Sequence, residues 1–128
     1  MKIVIETIPI ADMRYPTCGD YFYDSNGDLQ FRVAKMSNPD YEFLIRIHEQ
    51  FEQYLTEKHG ISEESITNFD IHYEMGRIKG LVSKDAEPGD DPRCAYKNEH
   101  RFAENIERLA AHELKVDWQK YTNEVMSL

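Results

Sequence analysis

His48, Glu49 and Glu52 fall within five consecutive residues, His-Glu-Gln-Phe-Glu, inside a stretch whose apolar spacing predicts a helix. Side chains four apart share a helix face, so His48 and Glu52 can reach one point in space. The apolar stripe of this helix runs through Leu44, Ile47, Phe51 and Leu55, with Ile45 on its flank. On the helical wheel His48 lies inside that arc, and Glu52 lies between His48 and Ile45. A carboxylate aimed at a core is costly unless something pairs with it, and a divalent metal ion is one such partner. The competing reading, of about equal weight, is a core histidine hydrogen-bonded to Glu52 or to Asp70.

The elements that must position these groups divide the chain in two. Residues 1–36 are β-rich. Residues 2–10 are dense in β-branched side chains, and 21–23 and 29–33 flank Asp24-Ser25-Asn26-Gly27-Asp28, a hairpin turn whose Asn-Gly supplies positive φ angles. Leu29, Phe31 and Val33 alternate with Gln30 and Arg32, the pattern of a sheet with one wet face. Residues 38–128 are helical. Ser37-Asn38-Pro39-Asp40 starts a helix that runs to about His59, where Gly60 offers a left-handed stop. Ser62-Glu63-Glu64 opens a second helix carrying Ile66, Phe69 and Tyr73 on one face, with Asp70 among them as another inward acid. Residues 80–95 form a loop around Glu87-Pro88-Gly89-Asp90-Asp91-Pro92. A third helix over 96–114 buries Phe102, Ala103, Ile106, Leu109 and Ala110, and carries His100 and Glu107 at one edge of that stripe with Glu104 beside them. Asp117 caps a short last helix that aligns Trp118, Tyr121 and Val125. The pattern predicts a single α+β domain over 1–128, a small antiparallel sheet (a hairpin plus a third strand) packed on three to four helices.

Bulk composition narrows the functions open to such a domain. At 128 residues the chain suffices for one modest core, and eight Tyr with six Phe supply its packing. A net charge of −9 argues against direct nucleic-acid binding, which needs a basic surface. It suits cation binding or docking on a basic partner. No apolar run approaches the ~20 residues that cross a bilayer, and residues 3–10 lack a signal-peptide layout, so a cytoplasmic protein is expected. Cys18 and Cys94 are far apart and form no CxxC, which favours free thiols.

Two resemblances add to this reading. A strand hairpin followed by a helix bearing His-Glu-x-x-ligand resembles the minimal zincin arrangement of small metalloproteases, over roughly residues 21–55. That likeness implies His48 as a metal ligand, Glu49 as the general base and Glu52 in the second ligand's place, where the family has histidine. A carboxylate there keeps zinc as the first choice and admits Mn²⁺ or Fe²⁺. Over nearly the whole chain, Tyr15-Pro16-Thr17-Cys18-Gly19-Asp20, His48-Glu49-x-x-Glu52, Phe69-Asp70, the 87–92 loop, Glu99-His100 and Val116-Asp117-Trp118 resemble marker segments of small bacteriophage and prophage proteins. This second likeness implies a phage-type origin in a bacterial host and no particular reaction.

The expected site is His48, Glu52 and His100 around a divalent ion, with Glu49 positioning water and with Asp70, Glu104 and Glu107 as supporting or additional ligands. Imidazole is the better third ligand for a borderline metal, hence His100. Each has a plainer reading: Asp70 as acceptor from a buried tyrosine, His100 with Glu104 as an exposed pair, the acidic loop as a solvated turn. His59, His72 and His112 read as surface or structural. The leading expectation is a metal-dependent hydrolase acting on a peptide or small molecule. Against it stand a non-catalytic acidic protein that occupies a host or phage partner, and an all-α Mg²⁺-dependent nucleotide pyrophosphatase, suggested by Glu49-x-x-Glu52.

Overall fold

The structure, a computed structural model, describes residues 1–83 and 86–128. Residues 84 and 85 of the expected loop lie outside the described residues. The chain is α+β, with three strands followed by four helices.

Strands β1 (Ile3–Ile8), β2 (Gly19–Tyr23) and β3 (Leu29–Ala34) form one sheet in the order β1-β3-β2. The β2–β3 hairpin is antiparallel, with Tyr21 opposite Phe31. Its turn is held by the Asp24 carboxylate, which accepts from the backbone N–H groups of Asn26 and Asp28. Only Gly27 there takes the left-handed conformation, at φ 78°, so Asn26 does not share that role. The sheet is mixed rather than wholly antiparallel, because β1 pairs parallel to β3, from Ile3 opposite Leu29 to Ile8 opposite Ala34. The physical reason is the connection over 9–18, which contains a 3-10 turn at Ile10–Asp12 and passes the end of β3 to reach its far side. Leu29, Phe31 and Val33 are buried, as their alternation requires.

Helix α1 (Pro39–Lys58) starts at Asn38, whose side chain accepts from the Asp40 N–H, and stops before Gly60 at φ 74°. Ser62 caps α2 (Glu63–Ile78) and Asp117 caps α4 (Trp118–Ser127) in the same manner. Between α2 and α3 (Lys97–Glu113) lies a second 3-10 turn at Pro88–Asp90. The core has two apolar clusters. Tyr21, Leu29, Phe31, Ile66, Cys94 and Tyr96 make one. Val33, Met36, Leu44, Ile45, Ala111 and Tyr121 make the other.

Helices α1 and α3 make the most extensive helix–helix contact of the fold. The buried faces are rotated from the expected apolar stripes toward their polar edges, keeping Leu44, Ile45, His48 and Ala103 inside as expected. Helix α1 buries Leu44, Ile45, His48, Glu52, Gln53 and Thr56, while Phe51 is 41% exposed. Helix α3 buries Glu99, His100, Ala103, Glu107 and Ala111, leaving Phe102 48% and Leu109 68% exposed. The expected burial of Phe51, Phe102 and Leu109 is therefore corrected. The acids and imidazoles at the seam satisfy one another, which removes the cost of burying them, and small Ala103 and Ala111 let the helices approach. Phe51 and Phe102 meet as a tilted, exposed pair, their ring centroids 6.1 Å apart.

Candidate metal centre

His48 and Glu52 come from successive turns of α1, and His100 enters from the facing side of α3. The Nε2 atom of His48 lies 3.1 Å from Oε2 of Glu52 and 3.2 Å from Nδ1 of His100, and that Nδ1 is 3.0 Å from the same Glu52 oxygen. Three donor atoms so spaced lie on a circle of about 1.8 Å radius, within the ~2.0–2.1 Å of zinc–nitrogen and zinc–oxygen bonds. An ion displaced about 1 Å from their plane could reach all three at once. The three residues form a group able to hold a metal ion, as the sequence leads one to expect.

The remaining atoms of these side chains are tied down. His48 Nδ1 contacts Glu107 Oε1 at 2.7 Å, and the other Glu107 oxygen accepts from the Tyr121 hydroxyl at 2.5 Å. His100 Nε2 contacts Glu87 Oε2 at 3.2 Å. Glu52 Oε1 accepts from the Tyr21 hydroxyl at 2.8 Å. Each imidazole thus gives its outer N–H to a carboxylate and turns its other nitrogen toward the common centre. Each apolar cluster contributes one tyrosine hydroxyl to the arrangement, Tyr21 from the first and Tyr121 from the second. Among the described residues no buried side-chain polar atom lacks a partner.

The electrostatics are those of a cation-seeking site. Burial alone would lower the His48 and His100 pKa values. Hydrogen bonds to Glu107 and Glu52 outweigh it at His48, and those to Glu52 and Glu87 raise His100 to about 10. Burial would raise Glu52, yet the hydrogen bonds from His100 and His48 bring it down to about 2. Both inward imidazole nitrogens face the same Glu52 oxygen, at 3.1 and 3.0 Å, and a metal cation at the centre would have to displace the protons they direct at it.

Glu49 stands apart from this group. Its carboxylate lies against β2, so close that a Cβ added at Gly19 would come within 2.6 Å of Glu49 Oε1. Burial, and then the charge of Glu52, push its pKa well above the carboxylate range. Its half-buried carboxyl makes no hydrogen bond to another described residue. Glu49 lines a cleft of about 430 Å³ that also opens onto His48, Glu52 and His100. A carboxyl that opens onto the same cleft as the three donor atoms could take part in acid–base work there.

The other expected groups separate. Glu107 supports His48. Asp70 is outside the three-residue group: it accepts from the Tyr15 and Tyr96 hydroxyls, the plainer of its two readings. Burial lifts its pKa to about 7 against the hydrogen bond from Tyr96. Glu104 is also outside the group, and its nearest cation is Arg108 on its own helix at 3.8 Å. His59 pairs with Glu99 at 2.9 Å. Cys18 and Cys94 are free thiols. Sequence reasoning missed Glu87, Tyr21 and Tyr121. Glu87 sits in the expected 80–95 loop, where it lines the cleft and contacts His100. A second group of possible donors, Glu87, Asp90 and His100, is more open, with Asp90 Oδ1 at 3.8 Å from His100 Nε2. No helix among the described residues is long and apolar enough to cross a membrane. No protein-family model, curated protein or solved structure matches the chain.

Proposed function

We propose that this protein is a metal-dependent hydrolase in which His48, Glu52 and His100 hold one divalent cation and Glu49 is the general base. The observation that carries this reading is the triangle of inward donor atoms, 3.0–3.2 Å on each side. Two nitrogens and one carboxylate oxygen suit Zn²⁺ first, with Mn²⁺ or Fe²⁺ as alternatives. A cation so held would supply Lewis acidity toward a substrate oxygen or water. The chain's own part is to keep both imidazoles in the coordinating tautomer through Glu107 and Glu87, and to present the Glu49 carboxyl in the cleft as the proton acceptor. The cleft would admit a peptide or small-molecule substrate. Cytoplasmic location in a bacterial host, and phage-type origin, belong to the same proposal.

A non-catalytic interaction protein is favoured by one separate observation, the exposed, tilted ring pair of Phe51 and Phe102. The pyrophosphatase reading has less support, since Glu52 is engaged by His48, His100 and Tyr21 while Glu49 rests against Gly19. Elemental analysis of protein purified without a histidine tag tests the proposal. About one equivalent of Zn, Mn or Fe is expected, followed by hydrolysis in a screen over peptides, nucleotides and phosphoesters. A folded chain that takes up none of these metals would reject it and leave the interaction reading.

A further inference from the structure

The 3-10 turn at Pro88–Asp90 contains a glycine whose identity the turn itself does not explain. Gly27, Gly60 and Gly80 have positive φ; Gly89 does not, so its backbone conformation is open to alanine. What excludes a larger residue is His100. A Cβ built on Gly89 would lie 2.2 Å from Cγ, 2.4 Å from Nδ1 and 2.5 Å from Cδ2 of that imidazole. The Gly89 backbone is therefore packed flat on the ring, at the atoms that include the inward nitrogen. Two residues before it, Glu87 Oε2 meets the outward nitrogen of the same ring at 3.2 Å. One short segment thus fixes both the plane and the rotation of His100.

We propose that Glu87 and Gly89 are positioning residues forming a clamp that selects Nδ1 of His100 as its coordinating atom. This rests on the metal-site reading above. His48 turns Nε2 to the centre and gives Nδ1–H to Glu107, whereas His100 turns Nδ1 to the centre and gives Nε2–H to Glu87. The two ligands use opposite nitrogens, and the clamp is the reason. Without Glu87 the His100 ring loses the acceptor that fixes its tautomer. With a side chain at 89 the ring must leave the plane in which Nδ1 reaches Glu52 and His48.

The test combines a melting cycle with metal competition on the full chain. In chelator, Gly89→Ala should lower the melting temperature of the wild type far more than that of His100→Ala, because the three atoms nearest the added methyl all belong to the imidazole. With Co²⁺ as the probe, Gly89→Ala should weaken binding by about 10–100-fold against a chromophoric chelator. It should also alter the visible Co²⁺ spectrum. Glu87→Ala should weaken binding about 10-fold, and Glu87→Gln, which keeps an acceptor oxygen, should restore most of it. Carbon-13 shifts of the Zn²⁺-loaded protein should report His100 protonated at Nε2 and His48 at Nδ1. Gly89→Ala binding Co²⁺ like the wild type, or equal penalties in both melting backgrounds, would overturn the clamp. So would metal loss in both Glu87→Gln and Asp90→Asn, which would make those acids ligands and Nε2 the coordinating atom. A wild type that binds no Co²⁺ would overturn the metal reading and the clamp's role with it, whatever the melting cycle shows.

Discussion

Replacing His48 by alanine should abolish a large metal-dependent stabilisation. An ion that binds only the folded chain stabilises it by RT ln(1 + [L]/Kd), about 4.1 kcal/mol when free metal exceeds Kd a thousandfold. Unfolding entropy of about 2.1 cal/mol/K per residue, taken over 128 residues, gives about 0.27 kcal/mol/K, so the wild type should melt about 15 °C higher with metal. His48→Ala removes one of three inward donors and leaves Glu107 with Tyr121 as its remaining partner. If that weakens the site a thousandfold, the same free metal stabilises the variant by about 0.4 kcal/mol, less than about 2 °C. The assay is calorimetric or fluorescence melting against Zn²⁺ held by a metal buffer. His72→Ala is the control, since that exposed ring bonds only the Asn68 carbonyl in its own helix. A His48→Ala protein that keeps the wild-type shift refutes the assignment, as does a wild type that shows none.

Glu49→Gln should keep the metal-dependent melting shift and lose whatever hydrolysis a screen detects; loss of the ion instead would make Glu49 a ligand. Tyr121→Phe deletes the hydroxyl that donates to Glu107 and should weaken metal binding about 10-fold in chelator competition, so unchanged affinity would detach Glu107 from the site. Asp70→Asn tests the tyrosine-bound acid. Burial raises Asp70 from 3.8 to about 7, so the stability it contributes is fully present below about pH 4 and lost as pH rises through about 7. In chelator, the wild type should therefore lose on the order of 4 kcal/mol relative to Asp70→Asn between pH 4 and 8, and parallel profiles would refute the shift.

Short-range signals were readable because their physics is local. Asn38, Ser62 and Asp117 cap the helices they were expected to cap, since a cap involves only residues two or three apart. The His48–Glu52 pair was readable for the same reason, at one helical turn. The direction of β1 was not, because alternation along a strand says nothing about the sense of its neighbour. The buried face of α1 and α3 was readable in part. Periodicity placed His48 and Glu52 inward and His100 with Glu107 at the stripe edge, but it also pointed to Phe51, Phe102 and Leu109, which stay exposed, because burying the four polar groups is tolerable only once all are together. That mutual satisfaction is tertiary, and no single helix carries it.

The two glycines at the site show where such reading stops. Gly19 and Gly89 each precede an aspartate in a turn-rich stretch, and the local rule assigns glycine there to a turn. Neither has positive φ. Their missing Cβ atoms make room for Glu49 and His100, which arrive from other elements. A conformational glycine answers to its own φ and can be inferred nearby in sequence. A steric glycine answers to whatever packs on it, so its meaning appears only with the fold. Once the fold is known, the inference can run the other way: a glycine with ordinary φ and no room for a methyl marks a neighbour whose position is constrained. Here the neighbour so marked is the proposed ligand from α3, whose ring stands in the way of a methyl; Glu49 meets Gly19 with the flexible end of its side chain, which can give, so packing ties the cleft's chemistry chiefly to the loop before α3.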